Sequence, residues 1–193
     1  MKSLLAVLLL TATLSPAGEL KSLKAGDAVP AFALKNYDGK EVTLEGVLKE
    51  NQYAVVMFIA TRCPVSNAYN TRMAGLAADF AGKKIAFVGI NSNKSETVDE
   101  IRDHAKEHKF GFPVVKDSSN VIADAYGAMV TPEIFVVGKD MKVVYRGRID
   151  DSKKEGDVTK KDLSEALTAL LAGKGVSKEQ PKAFGCTIKR MGE

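Results

Sequence analysis

The hydrophobic pattern changes character near residue 50, and beyond it two kinds of run alternate. Residues 53–59, YAVVMFI, are apolar at consecutive positions and rich in β-branched types, which predicts a strand buried on both faces. Pro64 suits a first helical turn. Val65, Tyr69, Met73, Leu76 and Phe80 then recur every three or four residues up to Gly82, one helix face with its stop signal. IAFVGI (85–90) predicts a second buried strand, and Thr97 with Glu100 forms a capping-box pattern ahead of Ile101 and Ala105. A short extended piece FPVV (112–115), a short helix SNVIADAYG (119–127) ending at Gly127, and a strand EIFVV (133–137) follow. The chain turns at 138–142 and returns as VVYRG (143–147), an antiparallel hairpin. Thr159 and Asp162 repeat the capping-box pattern before a face of Leu163, Ala166, Leu167, Leu170 and Leu171, stopped by Gly173. Ahead of residue 50, AFALKNYDGKEVTLEGV reads as a hairpin turning at Asp38-Gly39. Residues 148–158 are a polar loop. The alternation argues for an α/β domain whose central sheet is partly parallel and closed by an antiparallel hairpin.

Composition narrows this picture. At 193 residues, 45% hydrophobic and 27% charged, the chain suits one folded domain rather than a disordered one. Its net charge of +4 is spread without a Lys/Arg block, so no nucleic-acid partner is expected. Lys2, the apolar run 4–14 and the small residues Ser15-Pro16-Ala17 make residues 1–17 a signal-peptide pattern cut before Gly18. The run is shorter than the roughly 20 residues that span a bilayer and holds no cysteine for a lipid anchor. The expected product is exported, periplasmic or secreted, with no stable membrane span. Export makes a disulfide sustainable. The two cysteines, Cys63 and Cys186, are one pair or two separate thiols.

Cys63 stands where a buried strand gives way to a helix. Ligands of open α/β sheets meet the carboxyl ends of strands, and helix N-terminal N–H groups favour an anion such as a thiolate. A depressed pKa and a reactive thiol follow, with Arg62 next to it adding to the effect if it points inward. The competing reading is an inert buried cysteine. Thr131-Pro132, just before a strand, is either a cis bond or a trans proline opening an edge strand. His104 and His108 are four apart on a helix but have no third ligand nearby in sequence, and they read as solvated. Lys189 and Arg190 also read as solvated charges, and Asp150 and Asp151 as loop residues without a specified cation. No cofactor and no metal are called for.

Taken together, the strand, the cysteine at a helix start, the Thr-Pro before a strand, the hairpin and the last helix resemble the thioredoxin fold. The likeness is to its redoxin branch, which includes thioredoxin-like reductases and peroxiredoxins of the alkyl hydroperoxide reductase/thiol-specific antioxidant type. It covers residues 25–172 and leaves 173–193 as a tail carrying Cys186. FIATRCPVS lies over the family's F-x-A-x-x-C-x-x-C segment, which implies that Cys63 is the nucleophilic cysteine. Thr131-Pro132 matches the cis-proline loop that lies against it and guides a bound chain. INSN (90–93) and GCTIKR (185–190) are similar to an exported peroxiredoxin-like subgroup. Two departures stand out. Ser66 replaces the second cysteine, so no local disulfide forms. Ala60 and Val56 occupy the positions where peroxiredoxins carry a peroxide-activating Thr or Ser and a Pro. Cys186 becomes the natural second thiol.

The resemblance implies an exported thiol–disulfide oxidoreductase in which Cys63 attacks and Cys186 resolves. Its substrate is a thiol or disulfide protein or small molecule, and its electron donor is unknown. A peroxiredoxin-like peroxidase passing through a sulfenic acid is the first alternative. A non-enzymatic binding module on a redoxin scaffold is the second.

Overall fold

The computed structural model describes residues 22–176 and 180–192. The expected signal segment, residues 1–17, lies outside them. In chain order the elements begin with a hairpin of β1 (Ala33–Lys35) and β2 (Glu41–Thr43), then α1 (Leu44–Glu50), β3 (Tyr53–Phe58), α2 (Pro64–Asn67) and α3 (Asn70–Asp79). They continue with β4 (Ile85–Asn91), α4 (Val98–Glu107), β5 (Val114–Lys116), α5 (Val121–Tyr126) and β6 (Val130–Thr131). β7 (Glu133–Gly138), β8 (Val143–Gly147), α6 (Asp162–Leu171) and β9 (Cys186–Thr187) complete the fold.

Five strands form the central sheet in the order β5-β4-β3-β7-β8. β3, β4 and β5 run parallel; β7 is antiparallel to β3, and β8 to β7. This is the mixed α/β sheet expected from the alternating runs. β3 is central, and its residues divide by parity. Val55 and Met57 pack with Met73, Ile101, Leu163 and Leu167 on one face. Ala54, Val56 and Phe58 pack with Leu44, Leu48, Ile122 and Tyr126 on the other. Helices on both faces are why this strand is apolar at every position. Parallel neighbours require crossovers, supplied by α2–α3 between β3 and β4 and by α4 between β4 and β5. Among the described residues no helix is long and apolar enough to cross a membrane.

Three local expectations change. The N-terminal hairpin ends at Thr43, whose side chain caps α1 by accepting from Gly46 N at 3.0 Å, and Leu44 and Leu48 turn into the core. The helix expected from Pro64 onward is broken between α2 and α3, where the Ala68 carbonyl is taken by the Arg72 guanidinium at 3.1 Å. Thr159 does not cap α6. Its side chain bonds Asp151, and Asp162 accepts from Arg148 at 2.7 Å. The segment after Gly173 stays outside the central sheet, and part of it forms β9, which pairs antiparallel with β6 in a separate two-stranded sheet. The box at Thr97 and Glu100 forms in full.

Candidate functional site

Cys63 is the N-cap of α2. Its backbone is extended (φ −83°, ψ 117°), and its sulfur accepts the Ser66 N–H at 3.3 Å. Pro64, in the first turn, has no N–H to offer, so the Ser66 amide is the donor that reaches the sulfur. The residue is only 5% exposed. Its thiol donates to the Thr131 carbonyl at 3.4 Å. Thr131–Pro132 is the cis peptide bond, so the alternative of a trans proline at this position falls away.

The loop leading to Cys63 is held by a residue that the sequence did not single out. Glu96 is 4% exposed, and its two carboxylate oxygens accept the Thr61 N–H at 2.7 Å and the Arg62 N–H at 3.1 Å. The same carboxylate accepts from the side-chain amides of Asn91 and Asn93. Ser66, fully buried, accepts from Ala60 N at 3.2 Å, so the residue in place of a second cysteine braces the loop instead. A second buried acid, Glu133, steadies the proline loop: it accepts from Met129 N at 2.8 Å and Val130 N at 3.3 Å and pairs with Arg146. These backbone amides would be costly to leave unpaired inside the protein.

The tail closes over this loop. Antiparallel pairing sets Thr131 opposite Cys186 and Val130 opposite Thr187. Gly185 passes so close that a Cβ there would lie 2.0 Å from the Thr131 carbonyl oxygen. Phe184 packs edge-on against Tyr69, and Ile188 is fully buried among the residues of the α1 and α5 face. Lys189 N donates to Asn93 Oδ1 at 2.7 Å, and Arg190 bonds Asp124 at 2.7 Å and the Ala128 carbonyl at 2.6 Å. Arg190 was expected to be solvated. It is 9% exposed, because its guanidinium ties the tail to α5.

Cys63, Ser66, Thr131, Pro132 and Cys186 therefore meet at one place. Both thiols are free, Cys63 buried and Cys186 half-buried. Burial alone would raise the Cys63 pKa. The Cys186 side chain, the Ser66 N–H, the Thr131 side chain and the Cys186 backbone outweigh it and hold Cys63 below its ordinary value. Burial, and then the adjacent Cys63, push Cys186 up. The two shifts describe one coupled pair that favours the first proton leaving Cys63. Arg62 plays no part in this, since it turns outward to Glu100.

The remaining candidates are engaged elsewhere. The His104 ring lies 3.1 Å from Asn67 Oδ1 and from Asn70 Nδ2; burial and then His108 lower its pKa, and both rings are half-buried rather than solvated. Asp150 pairs with Arg72 at 2.5 Å, and Asp151 accepts from Thr159 N at 2.9 Å. No group of three or more His, Cys, Asp or Glu among the described residues is placed to hold a metal ion.

The family model described as AhpC/TSA matches residues 25–146. The chain belongs to the AhpC/TSA family. A hypothetical protein from Sinorhizobium meliloti 1021 superposes with a TM-score of 0.83 at 35% identity, over 90% of this chain and 98% of that one. The thioredoxin domain of a thiol-disulfide oxidoreductase from Bacteroides vulgatus superposes at 0.57 with 20% identity, over 65% of this chain and 89% of that domain. Among sequences, the thiol-disulfide oxidoreductase ResA of Bacillus thuringiensis subsp. konkukian (strain 97-27) is 22% identical over 150 residues, 78% of this chain and 80% of that protein. The fold of this redoxin is thioredoxin-like.

Proposed function

We propose that this redoxin is an exported thiol–disulfide oxidoreductase whose exchangeable pair is Cys63 and Cys186. The carrying observation is the β6–β9 pairing, which sets Cys186 beside Cys63 at the cis-proline loop. Cys63 is the activated member, because the donors around its sulfur favour the thiolate, and a low-pKa thiol both attacks readily at neutral pH and leaves readily. Cys186 replaces the local partner that Ser66 removes. The relatives named thiol-disulfide oxidoreductases support the reaction class, and the signal pattern of residues 1–17 supports export.

Purified protein, oxidised and then mapped under non-reducing conditions, should give one intramolecular Cys63–Cys186 disulfide that glutathione buffers open and close. Free thiols or only intermolecular bonds after oxidation would sink the proposal. Fractionation of expressing cells should find the chain beginning at Gly18 outside the cytoplasm. Peroxidase activity should be weak, since Ala60 has no hydroxyl to hold a peroxide. Rapid-mixing oxidation of the reduced protein by hydrogen peroxide should run no faster than that of an ordinary thiolate.

A further inference from the structure

We infer that the client bonds to Cys186, the partner cysteine. This rests on the Cys63–Cys186 pair proposed above. The first observation is access. Cys63 is 5% exposed, enclosed by α2, the proline loop and the tail, whereas Cys186 is the more exposed residue of the two. The second is that the cover is fastened down. Ile188 is fully buried, Lys189 is held by Asn93 and Lys94, and Met191 N donates to Asn120 Oδ1 at 2.8 Å. Withdrawing the tail to uncover Cys63 would expose Ile188 and leave these groups without their partners. The third is the edge of β6, where an extended chain would add beside Cys63; β9 already fills it.

The chemistry then runs in one order. A client thiolate attacks Sγ of Cys186 in the Cys63–Cys186 disulfide. The S–S bond breaks, its electron pair goes to Cys63, and a client–Cys186 mixed disulfide forms. Cys63 departs as a thiolate into the hydrogen bond of the Ser66 N–H at 3.3 Å. A second client thiolate attacks the client sulfur, releasing Cys186, which takes up a proton. The client dithiol has become a disulfide, and the protein has gained two electrons as its dithiol. Stabilising the reduced form in this way makes a disulfide a stronger oxidant. The reverse reaction begins with Cys186 as nucleophile and passes through the same client–Cys186 mixed disulfide.

The test uses wild-type protein oxidised to the disulfide, mixed with glutathione as the probe thiol, and quenched with acid at the earliest times. Free thiols are alkylated and the protein is cut with trypsin. Cys63 lies in peptide 63–72 and Cys186 in peptide 183–189. Glutathione is expected on 183–189, exceeding that on 63–72 by about tenfold or more, with the alkyl label on Cys63. Glutathione found chiefly on 63–72 would overturn the inference while leaving the redox pair intact. Failure of the disulfide to form at all would overturn the pair and the inference with it.

Discussion

Replacing Gly185 by alanine should raise the redox potential of the Cys63–Cys186 pair without removing either sulfur. The added Cβ would sit 2.0 Å from the Thr131 carbonyl oxygen and 2.6 Å from its carbon. Ordinary contact begins near 3.4 Å, so β9 and β6 must part locally by about 1.4 Å. The pairing is two residues long, with one flanking bond from Ile188 N to the Met129 carbonyl at 3.0 Å, so there is little ladder over which to spread the shift. In the dithiol the strand can shift locally around Gly185, at the cost of hydrogen bonds worth about 1 kcal/mol each. In the disulfide the covalent link keeps the two Cα atoms within about 7 Å, and the same overlap has to be absorbed as strain. The oxidised form therefore loses more, by roughly 1–3 kcal/mol, which at 30 mV per 1.4 kcal/mol is a rise of about 20–65 mV. Equilibration in graded glutathione buffers, read by thiol alkylation and gel shift, measures it. Gly156→Ala, where nothing lies within 4 Å of the new carbon, is the control and should leave the potential unmoved. If Gly185→Ala forms the disulfide with an unchanged potential, the argument that close β6–β9 contact positions Cys186 is wrong.

Three further outcomes are expected. Ile188→Ala, at a fully buried position, should cost about 2–5 kcal/mol in urea unfolding, whereas a free tail would show almost no loss. Glu96→Gln keeps the volume but offers one acceptor oxygen where two backbone N–H groups and two amides converge; it should cost about 2 kcal/mol and slow closure of the disulfide, and wild-type stability and closure rates would refute the bracing role. In reduced Cys186→Ser, the ultraviolet absorbance of the Cys63 thiolate should appear at lower pH than in a cysteine peptide. Because this folded pKa is depressed, the stabilisation is fully present above the ordinary thiol value near 8.5 and is lost as pH falls through the folded pKa. Unfolding free energy should rise with pH across that window, and a double Cys63→Ser/Cys186→Ser variant should show no such rise.

The parts of the fold that were legible owe this to long, regular patterns. β3 and β4 are apolar at nearly every position because helices cover both sides, and α4 carries its own start signal in Thr97 and Glu100. What was missed is short or set by distant partners. β6 and β9 are two residues each, too short for any period to register. The pattern at Thr159 and Asp162 was as good as that at Thr97 and Glu100, but Asp151 and Arg148, brought near only by folding, claim both side chains. At the site, Cys63 was legible from its place between strand and helix. Glu96 and Glu133 were not, since an acid destined to accept buried backbone N–H groups looks in sequence like any other acid. Gly185 offered a faint signal, a glycine directly before the tail cysteine, and its close approach to Thr131 gives that glycine a physical reason.

Two cysteines so far apart in sequence need something other than chain proximity to hold them together. Here one side chain belongs to both halves of the arrangement. Asn93 accepts the tail's Lys189 N–H on its oxygen and donates from its nitrogen to Glu96, whose carboxylate in turn holds Thr61 and Arg62 just before Cys63. Lys116 closes the cluster, with its ammonium 3.0 Å from Asn91 Oδ1 and also donating to the Asn93 carbonyl. Burial is the largest influence on Lys116 and lowers its pKa, and the neighbouring Glu96 and Asp117 carboxylates offset part of that lowering. A buried network of this kind is stable only when all its members are satisfied. Shifting the tail removes the donor from Asn93, loosens the amide's hold on Glu96, and is felt at the Cys63 loop. The positions of the two sulfurs are thus coupled through the interior as well as across β6 and β9. Asn93→Ala should therefore disturb the Cys63 pKa as well as the tail, although Asn93 touches neither sulfur.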